Sequence, residues 1–275
     1  MPQDMQFAVG VIGVGNMGAA LVRGIVHRGT ESPNSVVVCD LDQERVDALC
    51  DDLGVVDGRK AVHVAATSDL VVLAAKPQNL SALLGEISES VGANQTIMSI
   101  VAGVTTESIE NTLGSNPSVI RVMPNLPALV GEGISVYCGG SNATKMDFER
   151  VESVLGAVGV CFQAAEGLMD PVTALSGTGP AYVFHTMEAM IRSGVEMGMP
   201  PDMAERLVLQ TVLGAATLAM ESGLDPASLR EAVTSRGGTT DAAITHLETH
   251  DYSLLVAEAI LAAMHRSKEL GSEPQ

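Results

Sequence analysis

The sequence predicts an α/β fold: an N-terminal doubly wound parallel sheet followed by an all-α C-terminal domain. Short β-branched runs alternate with helix-periodic segments as far as Ala165, the pattern of a parallel sheet with helices on both faces. A glycine-rich turn joins the first of these runs to the first helix. From Glu166 onward no strand pattern is convincing and helical spacing takes over. The expected domains are residues 1–165 and 166–275.

The first apolar run, Phe7 to Ile12, leads into Gly13-Val14-Gly15-Asn16-Met17-Gly18. Apolar residues then recur at helical spacing through Ala19, Leu21, Val22 and Ile25. Strand, tight turn and helix in this order form the Rossmann arrangement for a dinucleotide. Gly13 permits the turn, Gly15 lets the backbone approach a pyrophosphate, and Gly18 lets helix and strand pack closely. The helix start offers unpaired N–H groups and a positive dipole end to the phosphates. A purely structural turn shares the local pattern, but the buried strand before it and the helix after it favour the dinucleotide.

Ser35–Asp40 reads as a second buried strand. It ends on Asp40, 22 residues beyond Gly18. An acid placed there accepts hydrogen bonds from ribose hydroxyls and repels a 2′-phosphate, which favours NADH over NADPH. Arg45, one turn into the next helix, can still reach a phosphate. Alternatively, Asp40 caps the helix that begins at Asp42.

Ala61–Val64 is a short strand candidate and Leu70–Ala75 a strong one, running into Lys76-Pro77-Gln78. Proline ends the ladder at the carboxyl edge, where nucleotides bind in such sheets, so the backbone at Lys76 is placed to meet the cofactor. Asn79–Val91 follows as a helix, then strands at Thr96–Ala102 and Ser118–Met123. Shorter strands at Ser135–Cys138 and Gly159–Phe162 flank a helix at Thr144–Val158. In the second domain, Leu168–Met197 reads as a long helix kinked at Gly177, Gly179 and Pro180. Pro201–Glu221, Asp225–Val233, Thr240–Glu248 and Ser253–Leu270 are further helices, with Asp225 as a cap and Pro226 in its first turn. Ser235–Thr240 is a loop, and the tail Gly271–Gln275 is expected to be disordered.

Composition narrows the function. Lys and Arg number 15 against 33 Asp and Glu, a net charge of −18, which argues against nucleic acid or an anionic membrane as partner. The start, MPQDMQFAVG, has no basic region and no long apolar run, so no signal peptide is expected. No segment approaches the roughly 20 apolar residues of a membrane span. Cys39, Cys50, Cys138 and Cys161 show no CxxC, and free thiols in a reducing cytoplasm are expected. The histidines His27, His63, His185, His246, His250 and His265 read as surface or helix-packed, and no metal is expected. Met187, Met190, Met197 and Met199 read as core filler.

IGVGNMGAAL (Ile12–Leu21), AAKPQ (Ala74–Gln78), SIVAGV (Ser99–Val104), IRVMPNLPALVGEG (Ile120–Gly133), DPVTALSGTGPAYVF (Asp170–Phe184) and VTSRGGTTDAA (Val233–Ala243) together resemble pyrroline-5-carboxylate reductase, the last enzyme of proline synthesis. The first stretch is generic to dehydrogenases, whereas the last three are specific. The resemblance implies NAD(P)H-dependent reduction of 1-pyrroline-5-carboxylate to L-proline. It also implies a helical dimerisation domain that exchanges helices with a second subunit. The active site then lies between the cofactor of one chain and helical-domain residues that include the partner's. By position, Gly13, Val14, Gly15, Asn16 and Met17 match the pyrophosphate site, while Ala75, Lys76, Pro77 and Ala102 match the nicotinamide side. Ser235 and the N–H groups of Thr239 and Thr240, in the loop through Gly237 and Gly238, match the holders of the substrate carboxylate. The Thr240 hydroxyl matches the catalytic group facing the ring nitrogen. Two residues depart from the family pattern: Arg236 stands for the usual Pro, and Leu126 for the usual Thr.

The residues themselves agree: a loop with two glycines opening a helix presents several N–H donors toward one point, a carboxylate cradle. Small residues over Leu175–Ala181 and the apolar helices around them predict a homodimer at least, which the resemblance extends to a larger ring of dimers. Rival readings are a related imine or hydroxy-acid reductase and a non-catalytic NAD-binding sensor. Residues 166–240 contain no Lys to act as the general acid of a hydroxy-acid enzyme, and a sensor has no need of the Ser235–Thr240 loop.

Overall fold

The computed structural model describes residues 7–114 and 117–272. Among them, β1 (Phe7–Ile12), β2 (Val36–Cys39), β3 (Val56–Asp57), β4 (Ser68–Leu73), β5 (Thr96–Ser99), β6 (Ser118–Met123), β7 (Gly133–Gly139) and β8 (Gly159–Gln163) form one sheet. Its order is 3-2-1-4-5-6-7-8. The order reverses direction at β1, whose neighbours are β2 and β4, and that reversal opens a crevice at the carboxyl ends of the strands.

The helices of this region are α1 (Asn16–His27), α2 (Gln43–Leu53), α3 (Ala61–Thr67), α4 (Pro77–Ile87), α5 (Thr106–Leu113) and α6 (Lys145–Gly156). Alternate strand residues supply the two faces of the sheet. Val36, Val38, Leu70 and Val72 join Leu21, Ile25, Leu49 and Leu155 of α1, α2 and α6 in one buried cluster. Val37, Cys39, Val71 and Leu73 join Val64, Leu80, Leu84 and Ile109 of α3, α4 and α5 in the other. Burial on both faces explains why these strands read as continuous apolar runs.

Several details differ from the sequence reading. Ala61–Val64, expected as a strand, is the first part of helix α3, and the third strand is instead the short β3. Parallel strands need a crossover, and α3 supplies it by burying Val64 and Ala65 between β3 and β4. The sheet is not wholly parallel, because β7 runs antiparallel to β6. No α-helix intervenes between Met123 and Gly133, only a 3₁₀ segment at Leu126–Val130, so the chain turns straight back. β5 stops at Ser99 rather than Ala102, and β4 at Leu73 rather than Ala75.

The expected kinked helix is α7 (Met169–Val172), a π-helical stretch at Thr173–Gly177, and α8 (Gly179–Glu196). Close packing accompanies the π-helical turn, since a Cβ on Gly177 would lie 2.4 Å from Met123 Cε. Four more helices follow: α9 (Pro201–Glu221), α10 (Pro226–Ala232), α11 (Thr239–Thr249) and α12 (Tyr252–Ser272). Asp225 caps α10 by accepting from the N–H groups of Ala227 and Ser228. Gly271 lies in α12, and residues 273–275 of the expected tail lie outside the described residues, as do residues 1–6.

Contacts divide the chain into two compact units. One runs as far as Thr178 and resumes at Ala263; the other is Gly179–Ala262. In the second, α8 packs on α9 with Gly194 against Ala204, yet few side chains are buried. Leu213 is 61% exposed and Met220 84%. Met190 and Met197 are exposed as well, so in the single chain they are surface rather than core filler. Among the described residues no single helix is long and apolar enough to cross a membrane.

Candidate functional site

The loops after β1, β4 and β5 lie side by side because the sheet hydrogen bonding continues past the strand ends. Gly13 N–H donates to Cys39 O at 2.8 Å, Ala74 N–H to Ile12 O at 2.9 Å, and Ile100 N–H to Leu73 O at 3.1 Å. Gly13–Met17, Ala75–Pro77 and Ala102 thus share one edge of the sheet. Pro77 opens α4 with Lys76 as its N-cap. Both are exposed, and Ala75 and Ala102 are half-buried.

Each glycine of the turn has its own steric reason. Gly13 has φ +99°, and a Cβ there would lie 2.7 Å from Ala74 O. A Cβ on Gly18 would lie 2.0 Å from Gly13 O, so this position is closed by the turn itself. Gly15 is different: the nearest atom to its Cβ position is Arg45 Nη1 at 3.7 Å. Nothing in the fold requires Gly15 to lack a side chain, and the space is open for a phosphate. Gly15 is also the N-cap of α1, with no side-chain capping bond. The first N–H groups of α1, at Asn16, Met17 and Gly18, therefore lack an intrahelical acceptor. The residues present fit a dinucleotide pyrophosphate.

Asp40 lies just past β2, and its Oδ2 accepts from Val14 N–H at 2.7 Å while Oδ1 accepts from Asp42 N–H at 3.0 Å. It does not cap α2, whose N-cap is Asp42. Arg45 Nε pairs with Asp42 at 3.0 Å, which holds its guanidinium beside the glycine turn. Burial, reinforced by Asp40, Glu86 and Asp57, pushes the Cys39 thiol up to about 12. Burial and Glu166 likewise push Cys138 to about 11. Neither is a nucleophile at neutral pH.

In the second unit, Ser235–Thr240 forms a tight loop into α11. Gly238 is the N-cap and offers no side-chain capping bond; its N–H donates to Ser235 O at 2.9 Å. Gly237, at φ +74°, donates its N–H to Asp241 Oδ2 at 2.8 Å. Both glycine N–H groups are thereby occupied inside the loop. Thr239 and Thr240, the first two residues of α11, keep N–H groups with no intrahelical acceptor. Thr240 is inside the helix rather than at its cap, and its hydroxyl makes no hydrogen bond among the described residues. Ser235 is exposed and Thr240 half-buried.

Two polar residues had no assigned role from the sequence. Asp241, third in α11, was hidden because its bond runs backward across the loop; an acid three places after a helix cap is the available signal. Asn125 is buried, with Nδ2 donating to Ser176 O at 3.2 Å and Oδ1 accepting from Ile134 N–H at 2.9 Å. It ties the Leu126–Val130 turn to the π-helical stretch.

The family model described as "Pyrroline-5-carboxylate reductase dimerisation" matches residues 166–270. The one described as "NADP oxidoreductase coenzyme F420-dependent" matches residues 8–103. A pyrroline-5-carboxylate reductase from Methanosarcina acetivorans is 38% identical over 265 residues, 96% of this chain and 98% of that one. The solved pyrroline-5-carboxylate reductase of Coxiella burnetii is 35% identical with a TM-score of 0.89, covering 96% of this chain and 98% of that one. A pyrroline carboxylate reductase from Plasmodium falciparum, solved with NADP bound, is 29% identical with a TM-score of 0.88, covering 98% and 100%.

Proposed function

The chain belongs to the pyrroline-5-carboxylate reductase family, and on that premise we propose that it reduces 1-pyrroline-5-carboxylate to L-proline with NADH as the preferred donor. The observation that carries this reading is the Ser235–Thr240 loop, whose glycine N–H groups are occupied internally while those of Thr239 and Thr240 open a helix. Two N–H donors at a positive helix end suit one carboxylate, and Ser235 adds a hydroxyl. Thr240 brings a second hydroxyl with no bond among the described residues, suited to the ring nitrogen. We assign it the catalytic role of orienting the imine and bonding the nitrogen as it becomes an amine.

A bound reduced nicotinamide supplies the hydride. The protein binds and orients: Gly13–Met17 for the pyrophosphate, Asp40 for the ribose, and Ala75, Lys76, Pro77 and Ala102 beside the nicotinamide. Holding two reactants in line is itself a large rate term. With the hydride delivered to the imine carbon, the nitrogen would take its proton from solvent, so the residues here would need to supply neither a strong acid nor a metal site. NADH preference rests on the Asp40 carboxylate, which repels a 2′-phosphate; Arg45 opposes it, with its charge partly offset by Asp42.

We further propose a functional division at 165/166, in line with the match at 166–270, and a homodimer at least, extending to a ring of dimers. Exposed Leu213, Met220 and Leu255 support burial against a second copy, and light scattering that finds an active monomer overturns it. The net charge of −18 disfavours nucleic acid and anionic membranes as partners, and four free thiols accord with a cytoplasmic setting. Steady-state oxidation of NADH and NADPH with pyrroline-5-carboxylate, beside a panel of keto acids, tests the function. Pyrroline-5-carboxylate should give the highest kcat/KM, and a keto acid that exceeds it overturns the reading.

A further inference from the structure

We propose that Asp241 is a positioning residue for the substrate carboxylate, clamping the Ser235–Thr240 loop from within the helix that follows it. The proposal rests on the pyrroline-5-carboxylate reading of that loop. Asp241 is half-buried at the third position of α11. An acid there commonly bonds the N–H of the helix cap. Here the cap is Gly238, whose N–H already donates to Ser235 O at 2.9 Å. Asp241 Oδ2 therefore reaches one residue further back, to Gly237 N–H at 2.8 Å.

The loop is thus held at two successive glycines. Ser235 holds Gly238, where a Cβ would come within 2.5 Å of Ser235 Oγ. Asp241 holds Gly237, which sits at φ +74°, a conformation that glycine alone adopts freely. Glycine is also the residue with the most freedom to lose, so a Gly-Gly loop needs a local tie to stay in one shape. With the tie in place, the N–H groups of Thr239 and Thr240 are oriented before the substrate arrives, and binding has less ordering to do.

The test compares Asp241→Ala with Asp241→Asn in the full chain. The two variants carry the same charge, but the Asn oxygen still accepts from Gly237 N–H, so their difference reads the hydrogen bond alone. KM for pyrroline-5-carboxylate should be about tenfold higher in the Ala variant than in the Asn variant, with kcat within about twofold and KM for NADH equal. Hydrogen exchange of the amides at 235–239, measured without substrate, should be faster in Ala and near wild type in Asn. Equal KM and equal exchange in the two variants overturn the proposal, as does a parallel rise in KM for NADH. If the wild-type chain does not turn over pyrroline-5-carboxylate, it is the functional reading that fails. The exchange measurement then still decides whether Asp241 clamps the loop.

Discussion

The Asp40 carboxylate accepts a hydrogen bond from the backbone N–H of Val14 at 2.7 Å, tying the end of β2 to the glycine turn. One side chain thus has two separable effects. Its charge acts on the cofactor, and its bond holds the turn.

Asp40→Asn keeps an acceptor for Val14 and removes the charge. It should shift the kcat/KM ratio toward NADPH while leaving the melting temperature near that of the wild type. Asp40→Ala removes both, and losing the acceptor for a buried N–H costs about 1–3 kcal/mol, so its melting temperature should fall too. A wild-type preference for NADPH of about tenfold, some 1.4 kcal/mol in transition-state terms, contradicts the role given to Asp40.

The glycine turn makes a sharper contrast. Gly18→Ala places a methyl 2.0 Å from Gly13 O and should yield a destabilised or unfolded chain. Gly15→Ala meets only Arg45 Nη1, at 3.7 Å, and should melt like the wild type. Its NADH affinity should nevertheless fall by about tenfold or more, as expected when a ligand group loses its place. Fluorescence titration of NADH beside thermal melts checks both, and unaltered affinity in Gly15→Ala shows that the pyrophosphate lies elsewhere.

Much of this was legible in the sequence. The turn, the second strand leading to Asp40 (it stops one residue short, at Cys39), and the Ser235–Thr240 loop all carry signals within a few residues. Other features were not local. Val62 and Val64 suggest a strand by their branching, but the need for a crossover between β3 and β4 makes that segment a helix. The direction of β7 depends on what lies between Met123 and Gly133, not on the strand residues. The Gly237–Asp241 and Val14–Asp40 bonds join groups whose approach only the folded chain defines.

Cys39 links the site to alkaline pH. Its thiol is raised from 9.0 to about 12 by burial and then by Asp40, Glu86 and Asp57. The folded chain therefore holds this proton when the unfolded chain has lost it. The contribution is fully present below about pH 9 and is lost as pH rises toward 12. The melting temperature should fall over that range, and less steeply in Cys39→Ala. Identical slopes in the two proteins assign the alkaline loss to other groups.

Thr240→Val keeps the shape of the side chain and removes the hydroxyl. Losing one bond to the reacting nitrogen should cost about 1–3 kcal/mol, roughly 5- to 150-fold in kcat/KM. NADH affinity should hold, since no residue assigned to the cofactor has changed. Thr240 does not cap α11, so stability should change little. An unchanged kcat/KM with a lowered melting temperature makes Thr240 structural.

The most direct test follows the hydride itself. The full chain is incubated with 1-pyrroline-5-carboxylate and NADH carrying deuterium at both hydrogens of the transferring carbon, and the product is read by mass spectrometry and NMR. One deuterium on the δ-carbon of L-proline, matched mole for mole by NADH oxidised, is the expected result. Oxidation of NADH without labelled proline, or no oxidation while a keto acid is readily reduced, contradicts the assigned function.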